Sequence, residues 1–428
     1  MTTINAKSCS YDDVNYAVNT QASSGDTVIV PSGTATWTNT LDITKSVKLK
    51  GAGIDLTNII NNGNYYIISI IPSIPSDNPI VEVSGFTFDG GVSGSVILIR
   101  NENTTFDFTR FRIYMNKFQN VAYGLSAIYS RGMVFGLIDN NNFTNNFYDL
   151  NIRGYDWHSW DKYTKDTDNT LVYSNLGMGG ARFLYVENNT FSETSRFIIS
   201  SGEGARWVFR FNTLTEDYVQ GFLDIHGDTN NDGNVAVEIY GNTQTTTAGT
   251  NNYGGSMWID YRGGTSIIYN NSVVVDPGGC RAVIKIREET SPCSTLRKGY
   301  DMRIHNGYIW NNKNSQNNDN MCQWHHAPLT NNDPGNCLSV GVDYWSDIQD
   351  DAKTASSYFT IGLSSARVAV CSATIPADVY WETDTNKLYR CTSTNHWEFI
   401  YTPYTYPHPL AIEESCPQVI ASFDLKVI

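Results

Sequence analysis

An asparagine that returns at near-regular spacing constrains this chain more than any other feature. It closes a short β-like run each time: RIYMN at Asn116, LIDNN at Asn141, YVENN at Asn189, VFRFN at Asn212, EIYGN at Asn242, IIYNN at Asn271 and YIWNN at Asn312. Most intervals are 23 to 30 residues, and two longer ones leave room for an extra coil or a long loop. Strand-length repeats of this period, with few helical patterns between them, describe stacked coils that extend one continuous core. Asparagines stacked at a coil corner can satisfy one another and the turn backbone.

Aligning the runs on that asparagine tests the idea. Three residues earlier stand Ile113, Ile138, Val186, Phe209, Ile239, Ile268 and Ile309, all apolar. Side chains alternate along a strand, so this position faces the interior. The next residues, Tyr114, Asp139, Glu187, Arg210, Tyr240, Tyr269 and Trp310, are then expected to form an outward polar and aromatic row. The fold class that follows is all-β, a right-handed parallel β-helix. Ser10 is placed to cap a short helix in which Val14, Ala17 and Val18 cover the first coil. The expected division is a cap and first coils over 1–50 and a β-helix body over 51–315. A loop-rich, cysteine-containing region over 316–375 and an aromatic β-hairpin or meander with tail over 376–428 complete it.

Composition narrows the partners. Tyr (26), Phe (18) and Trp (10) are abundant, charged residues make up 17%, and the net charge is −14. That acidity argues against nucleic acid and an anionic membrane as main partners, because both need a basic face, and it leaves room for a local basic stripe. No apolar run approaches the roughly 18 residues of a membrane span, so membrane insertion is not expected. The opening MTTINAKSCSYDD has no signal-peptide pattern. Seven of the eight cysteines lie beyond residue 279. Cys280 with Cys293, Cys322 with Cys337 and Cys371 with Cys391 are close enough in sequence to clip loops, although spacing does not fix connectivity. An oxidising, extracellular or virion setting is the expectation.

GDTVIVPSGTATW followed by KLKGAG resembles the opening of the pectate-lyase-like right-handed β-helix superfamily. RWVFRFNTL, IHG, VEIYGNT, YRGGTSIIYNNSV and the closing YTPYTYPHPL resemble a poorly characterised branch of it, found in secreted bacterial proteins and phage virion proteins. The resemblance covers about residues 8 to 310 and the tail. VYWETDTNKLYRCTSTNHW is similar to a short module of phage tail fibres. The superfamily holds lyases, hydrolases, epimerases and non-catalytic receptor binders, so it implies a fold and a polysaccharide partner and leaves the activity open.

A second strand row aligns on Arg100, Arg131, Arg153, His226, Arg262 and Arg287, with Ser200 expected in the intervening coil. Two residues earlier lie Asn151, Asp224, Asp260 and Lys285. Coils stack about 4.8 Å apart, so Asp224, His226, Asp260, Arg262, Lys285 and Arg287 should meet in one polar patch. Arginines at that spacing suit a polymer carrying carboxylates or sulfates. For β-elimination, His226 or Lys285 would serve as base, with Arg262 and Arg287 neutralising charge. For hydrolysis, Asp224 and Asp260 would be the carboxylate pair. The same residues read equally as a solvated ladder of compensating charges.

Asp228, Asn230 and Asp232, followed by Gly233, match the first half of a calcium loop, which makes Ca2+ the candidate cofactor; the closing Glu is absent at its position. A metal-free Asn/Asp/Gly turn is the alternative. Arg153, Trp157, Trp160, Trp258 and Tyr269 are candidate substrate contacts, and the insertion YDWHSWDKYTKD is expected to overhang a face. Mutual aromatic stacking is the alternative for the rings. The leading expectation is a virion-associated, tailspike-like glycan-binding protein with the potential to depolymerise an anionic surface polysaccharide. Homotrimer formation and attachment to other virion tail proteins come by analogy. A secreted bacterial lyase or epimerase, and a non-catalytic structural β-helix, are the other expectations.

Overall fold

Among the described residues three parallel sheets of twelve, ten and ten strands stack coil upon coil, as a computed structural model of the protein shows, and so form a parallel β-helix. The structure describes the chain except for residues 64–65, 72–79, 92–93, 165–175, 217–221, 228–232, 247–256, 275–282, 288–301, 315–321, 326–337, 339–340, 348–358, 375–376 and 413–428. The first sheet runs from Thr3–Asn5 to Tyr344–Ser346, the second from Gly33–Trp37 to Lys313–Asn314, and the third from Leu41–Ile43 to Cys322–His325.

The apolar column found in the sequence is the core of the first sheet. Ile113, Ile138, Val186, Phe209, Ile239, Ile268 and Ile309 pair in register from coil to coil, and all are fully buried. In the second sheet Phe88, Phe118, Phe143 and Phe191 stack in the same way, with ring centroids 4.8 to 5.5 Å apart.

The corner between these two sheets carries the asparagine ladder. Each residue before the asparagine takes a left-handed conformation, for example Asn140 (φ 54°), Asn188 (57°) and Asn270 (53°). That turns the chain and points the next side chain inward. The Asn189 amide donates to the Ile138 carbonyl of the preceding coil at 2.9 Å and to Asn212 Oδ1 of the next at 3.1 Å. Its own Oδ1 accepts from the Asn141 backbone N–H at 2.9 Å. The pattern repeats through Asn116, Asn141, Asn212, Asn242, Asn271 and Asn312, so buried polar groups at each corner are matched.

Neither long interval hides an extra coil. Leu137–Asp139 pairs directly with Leu184–Glu187, and Thr265–Tyr269 directly with Gly307–Trp310. The first interval instead holds an insertion with the helix Asp156–Thr164. At the N-terminus Ser10 Oγ accepts from the Asp13 N–H at 3.3 Å. The helix Tyr11–Asn15 then widens into a π-helical turn over Tyr16–Gln21, with Val14, Ala17 and Val18 sealing the first coil.

Coil strands continue past 315, and the C-terminal unit begins before 376. Its four-stranded sheet comprises Phe359–Gly362, Val379–Glu382, Lys387–Ser393 and His396–Tyr401, with Phe359–Gly362 as a parallel edge strand. Cys371 and Cys391 form a disulfide across it. The other two expected cysteine pairings fall outside the described residues.

The row expected to face solvent is buried. Asp139, Glu187, Arg210 and Trp310 have no exposure, and Tyr114, Tyr240 and Tyr269 at most 6%. These side chains do point out of the coil, but the C-terminal unit and residues 401–412 lie across them. Trp381 packs on Tyr269 and Trp310 at 5.2 and 4.9 Å, and the Tyr401 hydroxyl donates to Glu238 at 2.9 Å. Arg210 donates to the carbonyls of Tyr404 and Thr405, both at 2.9 Å. Among the described residues no helix is long and apolar enough to cross a membrane.

Candidate functional site

The outer face of the third sheet holds the polar rows. Leu98, Tyr129, Asn151, Ser200, Asp224, Asp260 and Lys285 lie in register on successive coils. Two residues further along stand Arg100, Arg131, Arg153 and Gly202, also in register. His226, Arg262 and Arg287 continue this second row at the strand ends, their backbone N–H groups donating to Ser201, Ile225 and Tyr261 at 3.0 to 3.1 Å. Asp224, His226, Asp260, Arg262 and Arg287 are in contact, and Lys285 lies in register beside Asp260. Ser200 does not sit in the arginine row. It pairs with Asn151 and Asp224, and Gly202 takes the place beside Arg153.

Glycine follows the cationic residue on several coils, and the geometry requires it. A Cβ at Gly132 would collide with the Asn101 carbonyl, and one at Gly263 with the Gly227 Cα. Adjacent coils touch backbone to backbone as the chain leaves the sheet.

Two carboxylates lie beneath the patch surface. Asp224 and Asp260 are each 2% exposed and Arg262 8%. Asp224 accepts from the Arg262 guanidinium and stands 2.9 Å from His226 Nε2. Asp260 takes Arg287 in a two-point grip at 2.6 and 3.0 Å, with Arg262 Nε 3.4 Å away. Arg262 thus bridges both carboxylates, and its Nη2 also lies 2.9 Å from His226 Nδ1. The imidazole and the Arg287 guanidinium, each more than a quarter exposed, form the surface.

Burial alone would push the Asp224 carboxyl up, but the His226 hydrogen bond and the charges of His226 and Arg262 outweigh it and hold it below its ordinary value. Asp224 is therefore an anion that can orient an imidazole and stabilise its charged form. A glycosidase acid needs the opposite, a carboxyl raised so that it keeps a proton. In a hydrolytic pairing with Asp260, Asp224 therefore fits the anionic member and not the acid.

Arg153 lies half-buried, donating to Asn151 Oδ1 at 2.7 Å and to Ser200 Oγ at 3.2 Å, both neutral. Arg131 by contrast meets Glu102 at 2.6 Å and Glu203 at 3.7 Å. Trp157, 40% exposed, stacks on His158 at 3.8 Å in the helix that follows the Arg153 strand.

The remaining aromatic candidates offer no face to a sugar. Trp160 is fully buried, its Nε1 donating to the Gly233 carbonyl at 3.0 Å, because the inserted helix packs down onto the coils. Trp258 lies in the core beside Ile259, where the register shifts between Met257 and Ile259. Tyr269 is sealed between Tyr240, Trp310, Trp381 and Tyr401. Asp228, Asn230 and Asp232, the calcium candidates, lie outside the described residues.

No known protein family matches the sequence, and no curated protein is similar to it. Among solved structures the chain is similar to ORF18 of Geobacillus virus E2, with 15% identity over 66% of this chain and a TM-score of 0.33. The matched region spans 56% of that protein's length.

Proposed function

We propose that this protein binds an anionic polysaccharide on the outer face of its third sheet, as a virion-associated, tailspike-like glycan-binding protein. The observation that carries the reading is the presentation of Arg153, His226 and Arg287 on one face, with Asp224 and Asp260 buried beneath them. A purely compensating ladder would pair each cation with an acid. Arg153 is held by neutral groups, and no carboxylate pairs with it among the described residues. Its guanidinium is poised for a carboxylate or sulfate brought by a ligand. Assembly as a homotrimer, attached through other virion tail proteins, belongs to the same reading.

Depolymerisation by β-elimination is the activity the patch favours, and the Asp224–His226 pair is the reason. A uronate carboxylate bound to Arg262 would draw that guanidinium from His226 Nδ1. The imidazole then takes the proton beside the carboxylate, a C=C bond forms, and the electron pair leaves with the glycosidic oxygen. Asp224 stabilises the imidazolium, and Arg262 with Arg287 stabilises the charge that develops on the carboxylate.

The test is binding and turnover on a panel of acidic and neutral polysaccharides, following ultraviolet absorbance of unsaturated uronate and new reducing ends. Arg153→Ala should weaken binding, and His226→Ala should remove turnover while binding survives. Reducing ends without absorbance would overturn elimination in favour of hydrolysis. Binding unchanged in both Arg153→Ala and Arg287→Ala would overturn the glycan-binding face and leave a structural β-helix.

A further inference from the structure

The turns that lead into the third sheet carry aromatic side chains on three successive coils. Tyr123 precedes the strand Ser126–Gly132, Phe147 and Tyr148 open onto the strand Tyr148–Arg153, and Arg196 leads into Phe197–Gly202. Their rings touch in sequence, Tyr123 to Phe147 at 4.4 Å, Phe147 to Tyr148 at 4.6 Å and Tyr148 to Phe197 at 5.2 Å. The Arg196 guanidinium stands 4.9 Å from the Phe197 ring and 5.8 Å from that of Phe147. Phe197 is buried, Tyr148 and Phe147 are half-buried, and Tyr123 is 81% exposed. The four rings therefore form a shelf anchored at one end and open to water at the other. A second pair, Tyr66 and Tyr129, stacks on the same sheet at 6.5 Å, with Tyr129 in the row of Asn151.

We propose that this shelf is a sugar-stacking subsite that takes a pyranose ring of an anionic polysaccharide. The inference rests on the reading of the third sheet as a glycan-binding face and names where the uncharged part of each sugar sits. A pyranose packs its C–H face on an aromatic ring and keeps its hydroxyls and carboxylate at the rim. Arg196 stands at the rim of the shelf, and Arg153 ends the strand that Tyr148 begins. Apolar stacking and cation binding thus lie on one strand, as a polymer of acidic sugars requires. A protein partner fits less well, since a stable interface buries roughly 800 Å² on each side, far more than one open ring and its half-buried neighbours provide.

The test is equilibrium binding of the full chain to polygalacturonate, alginate, hyaluronan and heparin, with dextran as a neutral control. Tyr123→Ala, Tyr123→Phe and Arg153→Ala are compared with the unaltered protein. Tyr123 is exposed, so Tyr123→Ala should leave the melting temperature unchanged and weaken binding about tenfold, while Tyr123→Phe retains it. Affinity unchanged in Tyr123→Ala overturns the shelf; if Arg153→Ala still binds weakly, the glycan-binding face stands without it. Loss in Tyr123→Ala with Arg153→Ala unaffected supports the shelf and removes the arginine row. Failure of the unaltered chain to bind any of the four acidic polymers overturns both.

Discussion

Glu187 and Arg210 stand on neighbouring coils of the first sheet, 2.6 Å apart and without any solvent exposure. The C-terminal segment seals the pair, with the His408 N–H donating to Glu187 at 3.0 Å and Arg210 donating to the Tyr404 and Thr405 carbonyls. Removing one partner strands a buried charge. Arg210→Ala should cost about 3–5 kcal/mol of stability, read as a lower denaturant midpoint. A joint Glu187→Leu and Arg210→Met replacement should cost less than Arg210→Ala alone, and the reverse order would contradict this account.

Glu238 gives the fold a pH dependence of defined sign. Burial pushes its carboxyl up to about 7 from an ordinary 4.5, against the lowering effect of the Gly179 N–H and Tyr401 hydroxyl. Between those values the folded chain holds a proton that the unfolded chain has released. Its contribution is full below pH 4.5 and is lost as pH rises to about 7. Asp149, also raised to about 7 by burial, acts in the same direction. His408, pushed down to about 3 by burial, acts oppositely, and its contribution is lost as pH falls below 6.5. The difference in melting temperature between the unaltered protein and Glu238→Gln isolates the Glu238 part. That difference should change across pH 4.5 to about 7 and be constant outside it.

The asparagine ladder predicts an order of severity. Asn189→Ala leaves the Asn141 N–H and the Ile138 carbonyl without their partner and should cost about 1–3 kcal/mol. Asn189→Asp should be worse, because it sets a carboxylate oxygen against that carbonyl. Urea midpoints for the two variants decide it.

Arg262→Ala and His226→Ala should behave differently. Arg262 bridges two carboxylates that are almost fully buried, so its loss should destabilise the chain by about 3 kcal/mol or more as well as impair glycan binding. His226 is 27% exposed, and its removal should spare the melting temperature while abolishing turnover. Equal stability in the two variants would show that Arg262 is not the bridge described.

Local periodicity made much of this legible. The Ile113 to Ile309 column and the asparagine corner repeat within each coil, so sequence alone placed them, and register carried Asp224, His226, Asp260 and Arg262 together. Burial of Tyr269 and Trp310 was not legible, because Trp381 and Tyr401 cover them from more than 70 positions away, a distance at which alternation says nothing. Ser200 was assigned to the wrong row because its strand shifts register between Phe197 and Ile199 and its place beside Arg153 is a glycine with no side chain to mark it. Trp258 sits at a similar shift. Tyr123 and Phe147 escaped because they lie in turns, outside any strand pattern.

The asparagine corner also makes the solenoid extensible. Each Asn amide is keyed to its own coil and to the coils directly before and after it, so a whole coil inserted or deleted would find the same hydrogen-bond partners waiting. The length of the outer face is then counted in coils of about 4.8 Å. By duplicating a coil, a descendant of this chain would lengthen the proposed glycan-binding face and leave Asp224, His226 and Arg262 in place.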